Sequence, residues 1–259
     1  MDNESLGLPV EERIVAFLDV LGFKDLVDRM FASERELFPA LNEALDGVNR
    51  WAELGQSPGP LGCPVVTTVF SDSIVVSATG ESSFNDVVMH ISFIAHALFE
   101  REILCRGGVA RGPLYHVDGR VFGPAMISAF RLQDEVAIYP RIVIADNLLH
   151  DLANLCAYPI PMVQRDFDGT WFVNLFWLSW RSAKSVGSGI SGILRSILKG
   201  QADEASFAKA RAIIVRKLDD ETSPGKCRPR VLAKYRWLAN HFNATVLAHL
   251  RGSIEPIEI

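Results

Sequence analysis

The sequence predicts an α+β fold with the element order βααββαβ, the ferredoxin-like arrangement, followed by a mostly helical C-terminal extension. Three patterns predict it: an apolar strand near the start, a hairpin further along, and helical periodicity between the predicted strands. Of the 259 residues, 49% are hydrophobic and 22% are charged, so the chain can bury a large core. That composition excludes a disordered chain and a disulfide-dense one.

The first strand is predicted over residues 13–20, where Asp19 interrupts a run of branched and aromatic side chains. Gly22 ends this strand. Helical patterning then runs from residue 24 to about residue 51, because aliphatic side chains recur on one stripe. Glycines and prolines over residues 55–64 interrupt the pattern before the next element.

A β-hairpin is predicted next, with strands over residues 65–70 and 74–78. The connecting residues 71–73 are Ser-Asp-Ser, which favour a turn because their short polar side chains hydrogen-bond to nearby backbone. The two strands are therefore expected to pair directly with each other.

A helix and a strand follow the hairpin. Ser83 and Asp86 have capping-box spacing, and apolar side chains then recur at helical spacing to about residue 101. Residues 106–116 have strand character despite their glycines, and Asp118-Gly119 is a turn signal.

The final part of the predicted fold begins with a helix over residues 124–136, since Pro124 suits a first helical turn. Residues 141–144 are predicted to form another strand. Beyond about residue 146 the pattern weakens, although residues 171–180 have strand character. From about residue 205 the chain is predicted to be helical, with an interruption at residues 224–225.

The charge balance limits the classes of partner. Lys and Arg total 26 and Asp and Glu total 31, for a net charge of −5, whereas nucleic acids and anionic membranes attract basic surfaces. No segment approaches the roughly 20 apolar residues of a membrane helix, and residues 1–7 lack the features of a secretory signal. We therefore expect a cytoplasmic protein with no nucleic-acid partner and no stable membrane insertion, in which a local site holds any anionic ligand.

Two aspartates occupy unusual positions. Asp19 lies within an apolar strand, and Asp72 lies at the tip of an apolar hairpin. Ionised carboxylates in such surroundings are costly unless they are paired, hydrogen-bonded or bound to a cation. Either residue alone could be a capping or turn carboxylate, but the pair predicts an oxygen-ligated Mg²⁺ or Mn²⁺ if the hairpin packs beside the first strand.

A second candidate site lies directly after Asp19. Gly22 and Phe23 form a strand-to-helix junction, where backbone N–H groups and the helix dipole can receive phosphate oxygens. The alternative is that Gly22 simply permits a turn. Four arginines, any of which could be an ordinary solvated side chain, follow in the later part of the predicted fold: Arg106, Arg111, Arg120 and Arg131.

Four segments in this order resemble the catalytic domain of the class III nucleotidyl cyclases: FLDVLGF at 17–23, FSDS at 70–73, RGGVARG at 106–112 and FGPAMISAFRL at 122–132. Within that class they are most similar to the pyrimidine cyclases of the bacterial Pycsar anti-phage system. The resemblance implies the palm fold of that class, with a catalytic domain over residues 13–146. Residues 147–259 are then an extension that packs on the catalytic domain or on the dimer.

The resemblance implies roles for individual residues. Asp19 and Asp72 match the family's metal-binding aspartates, which hold two divalent cations, Mn²⁺ or Mg²⁺. Arg131 matches the arginine that stabilises the transition state, whereas Ile127 stands where many members have a ribose-orienting asparagine. Active sites of this class are shared in a homodimer, so Arg131 is expected to reach the partner's metal site.

Two further positions concern recognition of the nucleotide base. Thr68 aligns with a position that is Lys in typical adenylate cyclases and Glu in typical guanylate cyclases. Arg120 aligns with a second base-reading position, which is Asp in adenylate cyclases. A guanidinium only donates hydrogen bonds, so it suits the O2 and O4 acceptors of uracil better than an exocyclic amine. This favours UTP over CTP.

The function predicted from the sequence is therefore a metal-dependent uridylate cyclase, a phosphorus–oxygen lyase that makes 3′,5′-cyclic UMP from a pyrimidine nucleoside triphosphate. In a Pycsar system, the product would signal to a cyclic-nucleotide-responsive effector. Three alternatives are a cytidylate cyclase, an adenylate or guanylate cyclase, which Thr68 argues against, and a degenerate cyclase-like domain that binds nucleotide or a partner without catalysis.

Overall fold

A computed structural model describes residues 10–35, 38–39, 42–43, 65–80, 83–151, 162–180, 204–223, 225, 227–250, 252 and 254–259. The chain divides into two compact units. The first comprises Met1–Cys156 with Met162–Val173, and the second comprises Ala157–Pro161 with Asn174–Ile259.

The first unit contains one mixed sheet with the strand order β2-β3-β1-β4-β6-β8-β7, while β5 pairs separately with β4. β4 and β6 run parallel, and the other pairs are antiparallel. The strands are β1 (Glu11–Val20), β2 (Val65–Phe70), β3 (Ser73–Ala78), β4 (Cys105–Val117), β5 (Arg120–Phe122), β6 (Ile142–Ile144), β7 (Val163–Arg165) and β8 (Trp171–Val173).

The helices of the first unit connect these strands. They are α1 (Phe23–Ala32), α2 (Ser83–Phe99) and α3 (Pro124–Arg131), which continues as a π-helical turn over Leu132–Val136. A 3₁₀ turn follows β6 at Asp146–Asp151. Since the order β2-β3-β1-β4 is the ferredoxin-like one, the predicted α+β fold class is confirmed.

The first helix covers only the start of the stretch over residues 24–51 in which the sequence predicts two helices. It ends at Ala32, because Ser33 leaves helical geometry with φ −157° and its N–H bonds back to the carbonyl of Arg29. The Arg29 guanidinium also pairs with the Glu34 carboxylate just beyond the helix end. Most of the predicted second helical segment lies outside the described residues.

The aromatic run after residue 170 is only partly a strand. β8 ends at Val173, and Leu175–Trp180 forms a 3₁₀ turn where the sequence predicts continued strand character. The cause is local, because the Asn174 side-chain oxygen accepts the Phe176 N–H at 3.0 Å. An asparagine that caps nearby backbone in this way favours a turn over a strand.

The two faces of the sheet are covered by different helices. α2 packs against β1, β2 and β3 on one face and is buried over nearly its whole length. α3 packs against β1 and β4 on the other face. The core beneath α3 consists of Val15, Phe17, Val75, Ala110, Leu114, Ala125 and Ala129.

Glycines at both ends allow α3 to lie directly on β4. A Cβ at Gly108 would stand 2.3 Å from the Ala129 carbonyl oxygen and 2.6 Å from Leu132 Cβ. At the start of α3, Gly123 has φ 146° and its Cβ would stand 2.6 Å from the Pro113 oxygen. Backbone-to-backbone contact therefore fixes the position of α3, and with it the residues at its carboxyl end.

The second unit contains α4 (Glu204–Thr222) and α5 (Pro229–His249), which pack against each other. Its core is aromatic, since Phe242 contacts Phe176 at 5.4 Å and Phe207 at 6.2 Å between ring centroids. None of the helices that the structure describes is both long enough and apolar enough to cross a membrane.

The contact at Gly108 predicts a large stability loss for Gly108→Ala. The added methyl would meet backbone that cannot move without shifting α3, and such overpacking costs about 3 kcal/mol. Urea denaturation measures the free energy of unfolding. Gly119→Ala is the matched control, because nothing lies within 4 Å of its Cβ and its positive φ alone costs about 1 kcal/mol. Equal losses in the two variants would contradict the packing argument.

Candidate functional site

Asp19 and Asp72 lie at the same edge of the sheet. Asp19 is near the carboxyl end of β1, opposite Ser73 on β3 and Arg106 on β4. Asp72 immediately precedes β3, and its backbone oxygen accepts the Val20 N–H at 2.8 Å. Both aspartates are partly buried. The hairpin therefore packs beside the first strand, which is the condition set by the sequence for a joint role of the two carboxylates.

Two side chains from other elements hold the Asp19 carboxylate. Arg106 Nε donates to Oδ2 at 3.0 Å, and Gln133 Nε2 donates to the same oxygen at 3.2 Å. The Asp19 side chain is only 22% exposed, so these bonds offset much of the cost of burying its charge. Sequence reasoning did not identify Gln133, because the π-helical turn that presents it lies 114 residues beyond Asp19.

A cation bound at these two aspartates would need a substrate to complete its ligands. Among the described residues, no group of three His, Cys, Asp or Glu side chains could hold a metal ion. Mg²⁺ and Mn²⁺ at phosphate-processing sites are commonly held by one or two carboxylates, with substrate phosphates and water supplying the other ligands. Asp19 and Asp72 fit this arrangement of two carboxylates and would be the residues that hold the ions.

The start of α1 follows Asp19 closely. Gly22 adopts a left-handed conformation with φ 74°, caps the helix without any side-chain hydrogen bond, and has open space around its Cβ position. Phe23 is the first helical residue and is partly buried. The first N–H groups of a helix have no partner within it, so phosphate binding at this junction stays a prediction that its geometry permits.

Arg131 is the last α-helical residue of α3 and is exposed. It lines a cleft of about 670 Å³ within the first unit, together with Arg165, Asp146 and Asp168. In the part of the chain that the structure describes, no hydrogen bond or ion pair joins Arg131 to Asp19 or to Asp72.

Thr68 and Arg120 are not brought together. Thr68 Oγ1 lies 2.9 Å from His116 Nε2. The register of β4 and β5 sets Val121 opposite His116 and Arg120 opposite Val117. Side chains alternate along strands, so Arg120 projects from the opposite face of this ribbon and is exposed there.

His116 was not identified from the sequence. Its side chain is buried, and its Nδ1 lies 2.8 Å from Ser77 Oγ. Burial, with a smaller effect from the charge of Arg13, lowers the pKa of His116 to about 4, so the ring is neutral near pH 7. The sequence does contain a signal, since His116 follows Leu114 at strand spacing and therefore falls on the core-facing side.

An exposed apolar surface adjoins Arg131 on α3. Ile127, where the resemblance expects asparagine, is 55% exposed, and Phe130 is 47% exposed. Phe130 also contacts Phe17 edge to face, with ring centroids 5.5 Å apart. Ile127 therefore offers no hydrogen bond to a ribose, and it extends an apolar surface instead.

Comparisons with known proteins found no matching family model and no matching curated protein. The catalytic core of a rhodopsin-guanylyl cyclase with converted specificity, solved with ATPαS, is 16% identical; the match covers 63% of this chain and 95% of that one, with a TM-score of 0.46. The monomeric guanylyl cyclase domain of the RhoGC fusion protein from the aquatic fungus Blastocladiella emersonii is 17% identical, with the same coverage and a TM-score of 0.44. A bacterial light-regulated adenylyl cyclase is 15% identical over 68% of this chain and 55% of that one, with a TM-score of 0.41.

Proposed function

We propose that the protein is a metal-dependent nucleotidyl cyclase that converts UTP into 3′,5′-cyclic UMP and pyrophosphate. The observation that carries the proposal is the convergence of Asp19 and Asp72 at one sheet edge, beside the exposed start of α1. The four sequence segments that resemble class III cyclases contribute the elements of this edge and the helix α3 that packs next to it. CTP is the alternative substrate.

The reaction is an in-line displacement within one nucleotide. The 3′-oxygen forms a bond to the α-phosphorus while the bond from the α-phosphorus to the bridging oxygen of the β-phosphate breaks. Pyrophosphate leaves with the bonding electrons, and the 3′-hydroxyl loses its proton to solvent water. Two Mn²⁺ or Mg²⁺ ions bound at Asp19 and Asp72 would lower the pKa of the 3′-hydroxyl and neutralise charge on the triphosphate.

The chain's own residues would arrange the reactants. Arg106 and Gln133 fix the orientation of the Asp19 carboxylate through bonds to one oxygen, which leaves the other oxygen for a cation. The N–H groups at the Gly22–Phe23 junction would orient the phosphates. Arg131 would stabilise charge that develops on the α-phosphate and on the leaving pyrophosphate, which is a role that suits an always-charged guanidinium.

A homodimer with shared sites is part of the proposal. The resemblance to class III cyclases implies active sites shared between two subunits, so Arg131 is assigned to the partner's site. Exposed apolar side chains on the same side of the sheet support a second copy of the chain there, since apolar patches of this kind mark interaction sites. They are Phe70 at 80% exposed, Ile127 at 55% and Phe130 at 47%.

The resemblance also supports a biological setting, in which the cyclic nucleotide is a second messenger of bacterial anti-phage defence and is read by a cyclic-nucleotide-responsive effector. In this proposal residues 13–146 are the catalytic domain and residues 147–259 are an extension that supports it. Thr68 is proposed to contact the base. Arg120, whose fork would supply donors for uracil oxygens, projects from the other face of the β4–β5 ribbon and would not reach the same base.

Incubation of the purified protein with each of the four nucleoside triphosphates and Mn²⁺, analysed by mass spectrometry, tests the proposed reaction. We expect cyclic UMP and pyrophosphate from UTP, with slower turnover of CTP. Cyclic CMP as the main product would select the alternative substrate. No product from any of the four would contradict catalysis and favour a degenerate nucleotide-binding domain.

Replacement of either aspartate tests the metal assignment. Asp19→Asn and Asp72→Asn each remove a cation-binding charge, so turnover should fall at least about a thousandfold. Asp19→Asn should also lose about 1 kcal/mol of stability, because it breaks the partly buried pair with Arg106. Asp134→Asn, at an exposed acid beside Gln133, is the control and should keep wild-type turnover. Full activity in either site variant would disprove the assignment.

Mixed dimers test the shared site. Asp19→Asn and Arg131→Ala chains should each be inactive alone, yet a mixed dimer contains one site with both defects and one intact site. At equal concentrations we expect the mixture to regain about one quarter of wild-type activity. If the mixture stays inactive while tagged subunits demonstrably exchange, Arg131 acts within its own chain.

A further inference from the structure

A chain of three polar side chains crosses the sheet face that α3 covers. Ser77 Oγ lies 2.8 Å from His116 Nδ1, and His116 Nε2 lies 2.9 Å from Thr68 Oγ1. Ser77 is fully buried and His116 is 2% exposed, whereas Thr68 at the far end is partly exposed. The Ser77 end of this hydrogen-bonded row is thus closed inside the protein, and the Thr68 end is accessible.

The position of each proton follows from what the closed end requires. The His116 ring is neutral, so one of its nitrogens carries hydrogen and the other accepts. The hydrogen-bond partner of the Ser77 hydroxyl in the described structure is Nδ1. A buried O–H without an acceptor costs about 1–3 kcal/mol, so Ser77 donates to Nδ1. Nδ1 is therefore the accepting nitrogen, and Nε2 carries the ring proton.

The direction of the Thr68 hydroxyl proton, at the accessible end, then follows as well. Nε2–H donates to Thr68 Oγ1, which leaves the Thr68 hydroxyl proton directed away from His116. We infer that Ser77 and His116 hold the Thr68 hydroxyl as a hydrogen-bond donor toward the substrate's base, and so select uracil over cytosine. This inference rests on the proposed function, and it makes Ser77 and His116 positioning residues for Thr68.

The chemical basis of the selection is the group at position 4 of the base. Uracil presents a carbonyl oxygen there, which accepts from the Thr68 hydroxyl. Cytosine presents an amine, which could use only the remaining lone pair of Thr68 Oγ1 and would leave the hydroxyl proton without an acceptor. A site built to satisfy a hydrogen bond rejects a ligand that cannot complete it, because the polar groups are left unpaired. Selectivity of this kind does not depend on Arg120.

The neighbouring residue offers a matched control on the other face. Thr67 Oγ1 lies 3.2 Å from Nε2 of His90, a second buried histidine, on the face that α2 covers. Thr67 and Thr68 are thus neighbours on one strand, and each contacts a different buried histidine. Of the two, only Thr68 is hydrogen-bonded to His116 and, through it, linked to Ser77. Thr67→Val loses the same kind of bond without changing the hydrogen bonds between Ser77, His116 and Thr68.

The experiment combines kinetics with a direct measurement of the tautomer. The ratio of kcat/KM for UTP to that for CTP is measured in wild type, Thr68→Val, Ser77→Ala and Thr67→Val, with thermal unfolding as the check on folding. We expect Thr68→Val and Ser77→Ala each to lower the ratio about tenfold, the value of one hydrogen bond, and Thr67→Val to leave it unchanged. ¹⁵N NMR of labelled histidines, with His116 assigned by the loss of its signal in His116→Gln, should show hydrogen on Nε2 and none on Nδ1.

The outcomes separate the two proposals. If the wild-type protein cyclises none of the four triphosphates, the proposed function fails and this inference falls with it before any variant is made. If the wild type is active but the ratio is unchanged in Thr68→Val and Ser77→Ala, only the inference is overturned. Hydrogen on Nδ1 of His116, or an equal loss of selectivity in Thr67→Val, overturns it too.

Discussion

The direct contact of α3 with β4 at Gly108 is the constraint on which the candidate site depends. A hydrogen in place of a side chain lets the helix backbone approach the strand backbone, and the helix then has one permitted position. That position determines where Arg131 is exposed and brings Gln133 to Asp19. It also leaves Ile127 and Phe130 on the outer surface of the helix, available to another copy of the chain.

Charge burial explains why the edge of the sheet is organised as it is. Burial of a carboxylate on an apolar strand is costly without donors, and both Arg106 and Gln133 supply them to one oxygen of Asp19. Cys105 beside them adds no charge, since burial and then the Asp19 carboxylate raise the pKa of its thiol to about 12. The carboxylates of Asp19 and Asp72 are the oxygen donors at this edge that a divalent cation would use.

The first unit contains a second buried polar group, Arg141, which is held in place by ion pairs. Arg141 is almost fully buried and pairs with Asp166 and Asp168 in the turn between β7 and β8. This attaches the last two strands to the end of the π-helical turn, where Arg141 also donates to the Val136 oxygen. His116 is also held by its partners, since both of its ring nitrogens are hydrogen-bonded, one to Thr68 and one to Ser77.

Local patterns in the sequence determined the order of the elements, the turn at Asp72 and the junction at Gly22, because strand alternation, helical periodicity and turn chemistry act over a few residues. They also identified Asp19 as a candidate site residue, since a carboxylate in an apolar strand is costly to bury without a partner. The tertiary structure alone decided that Gln133 holds Asp19, that Thr68 meets His116 rather than Arg120, and that Arg131 is not bonded to the carboxylates of its own chain in the described residues. Those pairings join residues that are far apart in the chain, and they depend on strand register and on the single position that Gly108 permits for α3.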